Sequence, residues 1–115
     1  MSSPFEEPLA TLIRERGVMG CLVVGERDGI IVDASLQVGV DGPAVAALAA
    51  SLYRRARLSA GAAGLGAVSF LQLEAERGHI WAAGRGELVL VTIAESRAQV
   101  GRVRAVMLQL AEALT

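Results

Sequence analysis

The sequence predicts an α/β (α+β) fold: a single five-stranded, mainly antiparallel sheet sandwiched by helices, in the order α-β-β-α-β-β-β-α. Three observations point there. Two segments, Val18 to Val24 and Leu88 to Ala94, are apolar almost without a break, as strands covered on both faces must be. Asp28-Gly29 and Glu76-Arg77-Gly78 read as tight turns, so hairpins dominate the connections. Three further segments repeat apolar residues at helical spacing, enough to cover both faces of the sheet.

Each element follows from local chemistry. Ser3-Pro4-Phe5-Glu6 is a helix start, with Ser as cap and Pro in the first turn. Phe5, Leu9, Leu12 and Ile13 fall on one face, and Gly17 stops the helix. Val18 to Val24 is the first strand, and Gly29 to Ser35 returns beside it. Leu36 to Val40 connects. Asp41-Gly42-Pro43 opens the second helix, which runs to about Ala60. Its apolar stripe is Val45, Leu48, Ala49, Leu52 and Ala56, and this stripe is expected to face the core. The other face, Ala46, Ala47, Ala50, Ser51, Arg54 and Arg57, carries little charge, and its small side chains let another helix come close.

Gly61 to Gly66 is a flexible connection. Val68 to Glu74 alternates poorly and reads as an edge strand. His79 to Ala83 and Leu88 to Ala94 follow, the last as the central strand. Ser96 caps the final helix, whose buried stripe is Val100, Val103, Met107, Leu110 and Leu114.

Composition narrows the function. The 115 residues suit one domain, residues 1–115. A chain of this size buries about 65% of its surface, enough for a core without disulfides or metal. An apolar content of 53% excludes disorder, and 3% aromatics leave Ala, Val, Leu and Ile to build the core. One Cys and one His provide neither a disulfide framework nor a four-ligand zinc site, and no cofactor is expected. A net charge of −1 argues against nucleic acid. All 11 basic residues are Arg, so the P-loop lysine of a GTPase or ATPase is missing. No apolar run approaches the ~20 residues of a membrane span. Met1 to Pro8 carries Glu6 and Glu7 and no basic residue, unlike a signal peptide, so a cytoplasmic location is expected. The mean hydropathy of +0.48 then calls for an oligomer interface.

In this order, the residues resemble the Roadblock family, named for a dynein light chain. The similarity spans roughly Leu9 to Leu114. Gly17-Val18 through Leu22-Val23-Val24 to Asp28-Gly29 looks like the family's opening strand and hairpin. Ala44 to Ala56 is similar to its Ala-rich helix. Gly86-Glu87-Leu88-Val89-Leu90-Val91, followed by Val100-Gly101-Arg102-Val103-Arg104, is similar to the last strand and the start of the last helix. The resemblance implies a non-enzymatic homodimer of Roadblock/profilin-like fold, with two sheets joined edge to edge through the third strand and the second helices paired. It also implies association with a Ras-like small GTPase as scaffold or regulator. The bacterial branch includes the GTPase-activating partner of a gliding-motility GTPase.

The dimer face expected from these readings is Ala46, Ala47, Ala50, Ser51 and Arg54 on the helix, with Phe70, Gln72 and Glu74 on the edge strand. Arg54, Arg55 and Arg57 are the candidate partner contacts. They can reach an acidic surface or a phosphate in trans, or simply complement the helix C-terminus and lie over apolar surface. His79 has no nucleophile elbow to serve and reads as a strand-end residue with a backbone partner. Cys21, inside an apolar strand, reads as a small buried hydrophobe. The glycines of Gly61 to Gly66 follow a helix, whereas a dinucleotide loop follows a strand. Asp28, Asp33 and Asp41 lack EF-hand spacing and read as turn, strand-end and cap residues. Trp81 is either core or an interface anchor.

The resulting expectation is an adaptor that binds a Ras-like GTPase and modulates or scaffolds its cycle. The alternative is a purely structural subunit of a larger complex. A small-molecule sensor is a weaker third reading, because the core lacks the groups expected around a pocket.

Overall fold

The computed structural model describes residues 3–114; Met1 and Ser2, part of the segment read against a signal peptide, and Thr115 lie outside the described residues. The elements are α1 (Glu6–Ile13), β1 (Val18–Gly25), β2 (Ile31–Leu36), α2 (Gly42–Ala62), β3 (Leu71–Ala75), β4 (Gly78–Arg85), β5 (Leu88–Ala94) and α3 (Val100–Ala111), closed by a 3-10 turn at Glu112–Leu114. The five strands form one antiparallel sheet in the order β2-β1-β5-β4-β3. β5 is central and β3 is an edge, as the sequence predicts. None of the described helices is long and apolar enough to cross a membrane.

Alternation along the strands builds two cores. One face carries Cys21, Val23, Trp81, Ala83, Leu90 and Ala94 and is roofed by Leu9 and Leu12 of α1 and Val103 and Met107 of α3. The other carries Leu22, Val24, Ala82, Val89 and Val91 and is roofed by α2. This is why β1 and β5 read as unbroken apolar runs: both of their faces are under helices.

The rotation of α2 differs from the one its sequence predicts. Ala49 faces the sheet as expected, but so do Ala46 and Ala50, expected on the other face, together with Tyr53. Leu48, expected in the core, is 45% exposed, and Val45 and Leu52 are only half-buried. The reason is distance. Alanines let the helix backbone settle close to the sheet, and bulkier leucines there would hold it off. At Gly29, whose φ of +70° suits the turn before β2, an added Cβ would come within 3.3 Å of the Ala47 Cα.

Several boundaries shift for identifiable reasons. β2 begins at Ile31 and not at Gly29, because the Gly25 and Ile30 backbones close the turn. Val68 to Phe70 lie before β3, and the Val68 carbonyl is taken by the Tyr53 hydroxyl at 2.8 Å. The first helix begins at Glu6, with the Ser3 hydroxyl accepting from the Phe5 amide at 3.1 Å. Ser96 does not cap α3; Gln99 holds the cap position, without a side-chain hydrogen bond. Asp41 caps α2 as expected, accepting from the Ala44 amide at 3.1 Å.

Candidate protein-interaction surface

A residue with no exposed surface in its own chain cannot meet a second one. That corrects part of the expected dimer face: Ala46 is 0% and Ala50 2% exposed, both packed on their own sheet. Ala47, Ser51 and Arg54 do reach the surface, on the flank of α2 that leans over the β1–β2 hairpin. The Arg54 guanidinium donates to the carbonyls of Glu26 at 3.3 Å and Arg27 at 2.9 Å. β3 lies at the far edge of the sheet. These helix residues and the edge strand therefore form no continuous patch.

The side chains on the edge divide as well. Gln72 and Glu74 stand opposite Trp81 and His79, on the face covered by α1 and α3. Phe70 packs against that same core, with the Arg104 guanidinium 5.4 Å above its ring. Leu71 and Leu73 point the other way, toward the layer of α2.

A different surface is continuous. With 100° per residue along a helix, Val45 and Leu52 lie on the flank opposite Ala47 and Arg54, facing β4 and β3, and Leu48 lies between that flank and the crest. On the sheet below, Leu73, Ile80 and Ile93 form a cross-strand row on the α2 face, each only partly buried. Together these residues make an apolar shelf running from α2 to the β3 edge. The Leu residues of the predicted core stripe mark this shelf in the sequence, so the signal was present and assigned to the wrong side.

The three candidate arginines have separate fates. Arg54 is held on the hairpin carbonyls. Arg57 forms a two-pronged pair with Glu26, at 2.6 and 3.0 Å. The pairing raises the Arg57 pKa further. Arg55 is exposed on the crest of α2, two turns after Leu48 on the same side of the helix, and its side chain has no hydrogen-bond partner among the described residues.

The residues considered for catalysis are both bonded to backbone carbonyls inside the fold. The Cys21 thiol is buried and donates to the Leu9 carbonyl at 3.4 Å; burial, with the Asp33 charge adding to it, pushes its pKa up to about 12. His79 is placed with Nε2 3.0 Å from the Ser96 carbonyl, the backbone partner expected of it. Its ring stacks on Trp81, 5.5 Å between centroids, and Trp81 is fully buried core.

This arrangement of helices and sheet is matched by known proteins. No family model matches the chain. Uncharacterized protein MJ1340 of Methanocaldococcus jannaschii is 30% identical over 104 residues, 90% of either chain. The chain belongs to the family of MJ1340. The Roadblock/LC7 domain from Streptomyces avermitilis superposes with a TM-score of 0.84 at 20% identity, covering 97% of this chain and 95% of that one. The gliding protein MglB of Thermus thermophilus superposes with a TM-score of 0.82 at 21% identity, covering 99% and 90%. The fold shared by this MJ1340 relative is thus the Roadblock fold, as the sequence resemblance implies.

Proposed function

We propose that the chain is a non-enzymatic homodimeric adaptor of the cytoplasm that binds a Ras-like small GTPase and modulates or scaffolds its cycle. The observation that carries the dimer is the apolar shelf of Val45, Leu48, Leu52, Leu73, Ile80 and Ile93 beside a bare edge strand. Pairing β3 with its own copy about a two-fold axis satisfies the open backbone and covers the shelf in one step. The exposed area agrees: 6902 Å² against roughly 6,000 Å² for a monomer of this mass.

The GTPase part of the reading is supported by the likeness to the gliding protein MglB and by the resemblance to a family whose members associate with such GTPases. Arg55, standing free beside the shelf, is the arginine available to a partner. Arg54 and Arg57 are already engaged with the Glu26–Arg27 turn, which favours their neighbour Arg55 for the contact, although the Arg57 side chain remains 47% exposed beside Glu26.

Light scattering behind size exclusion tests the dimer at micromolar concentration; a monomer there refutes it. Capture from native lysate, with the bound protein identified by mass spectrometry and with a GTP or GDP analogue present, tests the partner. Nucleotide-dependent capture of a small GTPase supports regulation, nucleotide-independent capture of one supports a scaffold, and capture of no GTPase under either condition counts against the reading.

A further inference from the structure

The sheet has two edges, and they are built differently. At β3, no side chain of the described residues hydrogen-bonds the strand backbone. β2 is different. The Gln37 amide donates to the Met19 carbonyl, so in this alternating ladder Cys21 and Ser35 are a bonded pair, and Leu22 and Ala34 are not. Ala34 therefore turns its amide away from β1, toward solvent along the outer edge. That amide is already taken: it donates to Oδ1 of the preceding residue, Asp33, at 2.8 Å.

The strand is also bent at this point. The register shifts between Val23 and Val24, which leaves Val32 as an extra residue, 50% exposed. A bulge twists an edge away from flat pairing. The neighbouring side chains make such a device necessary. Ile30 is 64% exposed, and Val38 is wholly exposed. A β-branched apolar edge with open amides is a template for a further strand.

We propose that Asp33 closes the β2 edge to strand addition, which confines sheet-to-sheet pairing in this protein to β3. An incoming strand would need the Ala34 amide as a donor. It would have to displace a carboxylate that is covalently in place, and it would bring its own carbonyl up against that negative charge. The consequence concerns assembly. A protein with one self-complementary edge stops at a closed pair, whereas one with two builds an open chain of sheets. This consequence rests on the proposed β3 pairing; the closure of β2 does not.

The test compares wild-type protein with Asp33→Val, Asp33→Ala and Asp33→Asn by light scattering behind size exclusion, with far-UV circular dichroism to confirm folding. Asn keeps an oxygen acceptor for the amide, Ala removes it with the least disturbance, and Val also favours a strand. The expected result is a wild-type pair, an Asn variant of the same mass, and Ala and Val species of at least twice that mass. Folded Ala and Val variants that keep the wild-type mass overturn the proposal. A monomeric wild type with Val or Ala variants that pair upholds the closure of β2 and refutes pairing through β3. Should Val fail to fold, Ala decides alone. Growth of the Asn variant equal to that of Ala also overturns the proposal, since the acceptor would then not matter.

Discussion

The phenol end of Tyr53 rests on the bare Cα of Gly84 in β4, and a Cβ added at Gly84 would overlap the ring. The same hydroxyl reaches past the strand to the Val68 carbonyl. One side chain thus ties α2 to the sheet and to the connection that leads into β3. Burial raises the Tyr53 pKa, opposed by the hydrogen bond of the Gly84 backbone. Gly84→Ala is expected to destabilise the fold by about 1–3 kcal/mol through overpacking. Tyr53→Phe, which keeps the ring, is expected to cost about 0.5–1.5 kcal/mol for the lost hydrogen bond. Urea denaturation checks both, and a neutral Gly84→Ala would show that the ring is not held there.

The rotation of α2 separates two kinds of glutamate substitution. Ala46→Glu places a charge in the layer between helix and sheet, with no partner, and should cost several kcal/mol or prevent folding. Leu48→Glu sits on the exposed flank and should leave the melting temperature within a few degrees of wild type while shifting the species from pair to monomer. Ala50→Glu belongs with Ala46→Glu, because it is equally buried. Thermal melts and light scattering on the same samples decide; a pair that survives Leu48→Glu places the interface elsewhere.

The same helix shows where the sequence stops being informative. Its length, its Asp41 cap and its place before a Gly-rich connection follow from local chemistry, and so do the unbroken strands β1 and β5. Its rotation does not follow. Hydrophobic periodicity points toward the largest apolar side chains, here Leu48 and Leu52, and assumes that they are inside. A helix packed tightly on a sheet instead presents Ala46 and Ala50 inward beside Ala49 and leaves Leu48 at the surface, and nothing in the spacing distinguishes the two cases. Asp33 is unreadable for another reason. An aspartate near a strand end is ordinary, and its bond to the next amide matters only because the topology makes β2 an edge. Arg54 and Arg57 likewise find their partners in the Glu26–Arg27 turn, 27 to 31 residues away in sequence, a distance that local patterns do not span.

His79 offers a check on the α3 side of the sheet. Its Nε2 lies 3.0 Å from the Ser96 carbonyl, which can only accept, so the neutral ring must carry its proton on Nε2. Nδ1 is then a bare acceptor, buried and without a protein partner among the described residues; the indole N–H of Trp81, on whose ring His79 stacks, is likewise buried and without a partner among them. Nitrogen chemical shifts of the labelled imidazole should report the Nε2–H tautomer. The opposite tautomer would set a lone pair against a carbonyl and would mean that the β5–α3 connection is placed differently.

Cys21 links burial to alkaline stability. Its thiol has an ordinary pKa of 9.0 and one of about 12 in the fold. Between those values the unfolded chain has lost the proton that the native chain keeps, so rising pH favours unfolding. The contribution is fully present below pH 9 and is lost progressively as the pH climbs toward 12. Wild-type protein should therefore lose stability across that window more steeply than Cys21→Ala, in which no thiol titrates, although Cys21→Ala begins from a lower value because it leaves a small void. Below pH 9 the two denaturation midpoints should stay a constant distance apart. At pH 8 the native thiol should be inert to a disulfide reagent and react only as fast as the molecule unfolds. Rapid labelling of the folded protein at pH 8 would contradict a buried Cys21, and with it the packing of α1 on β1 that covers the thiol.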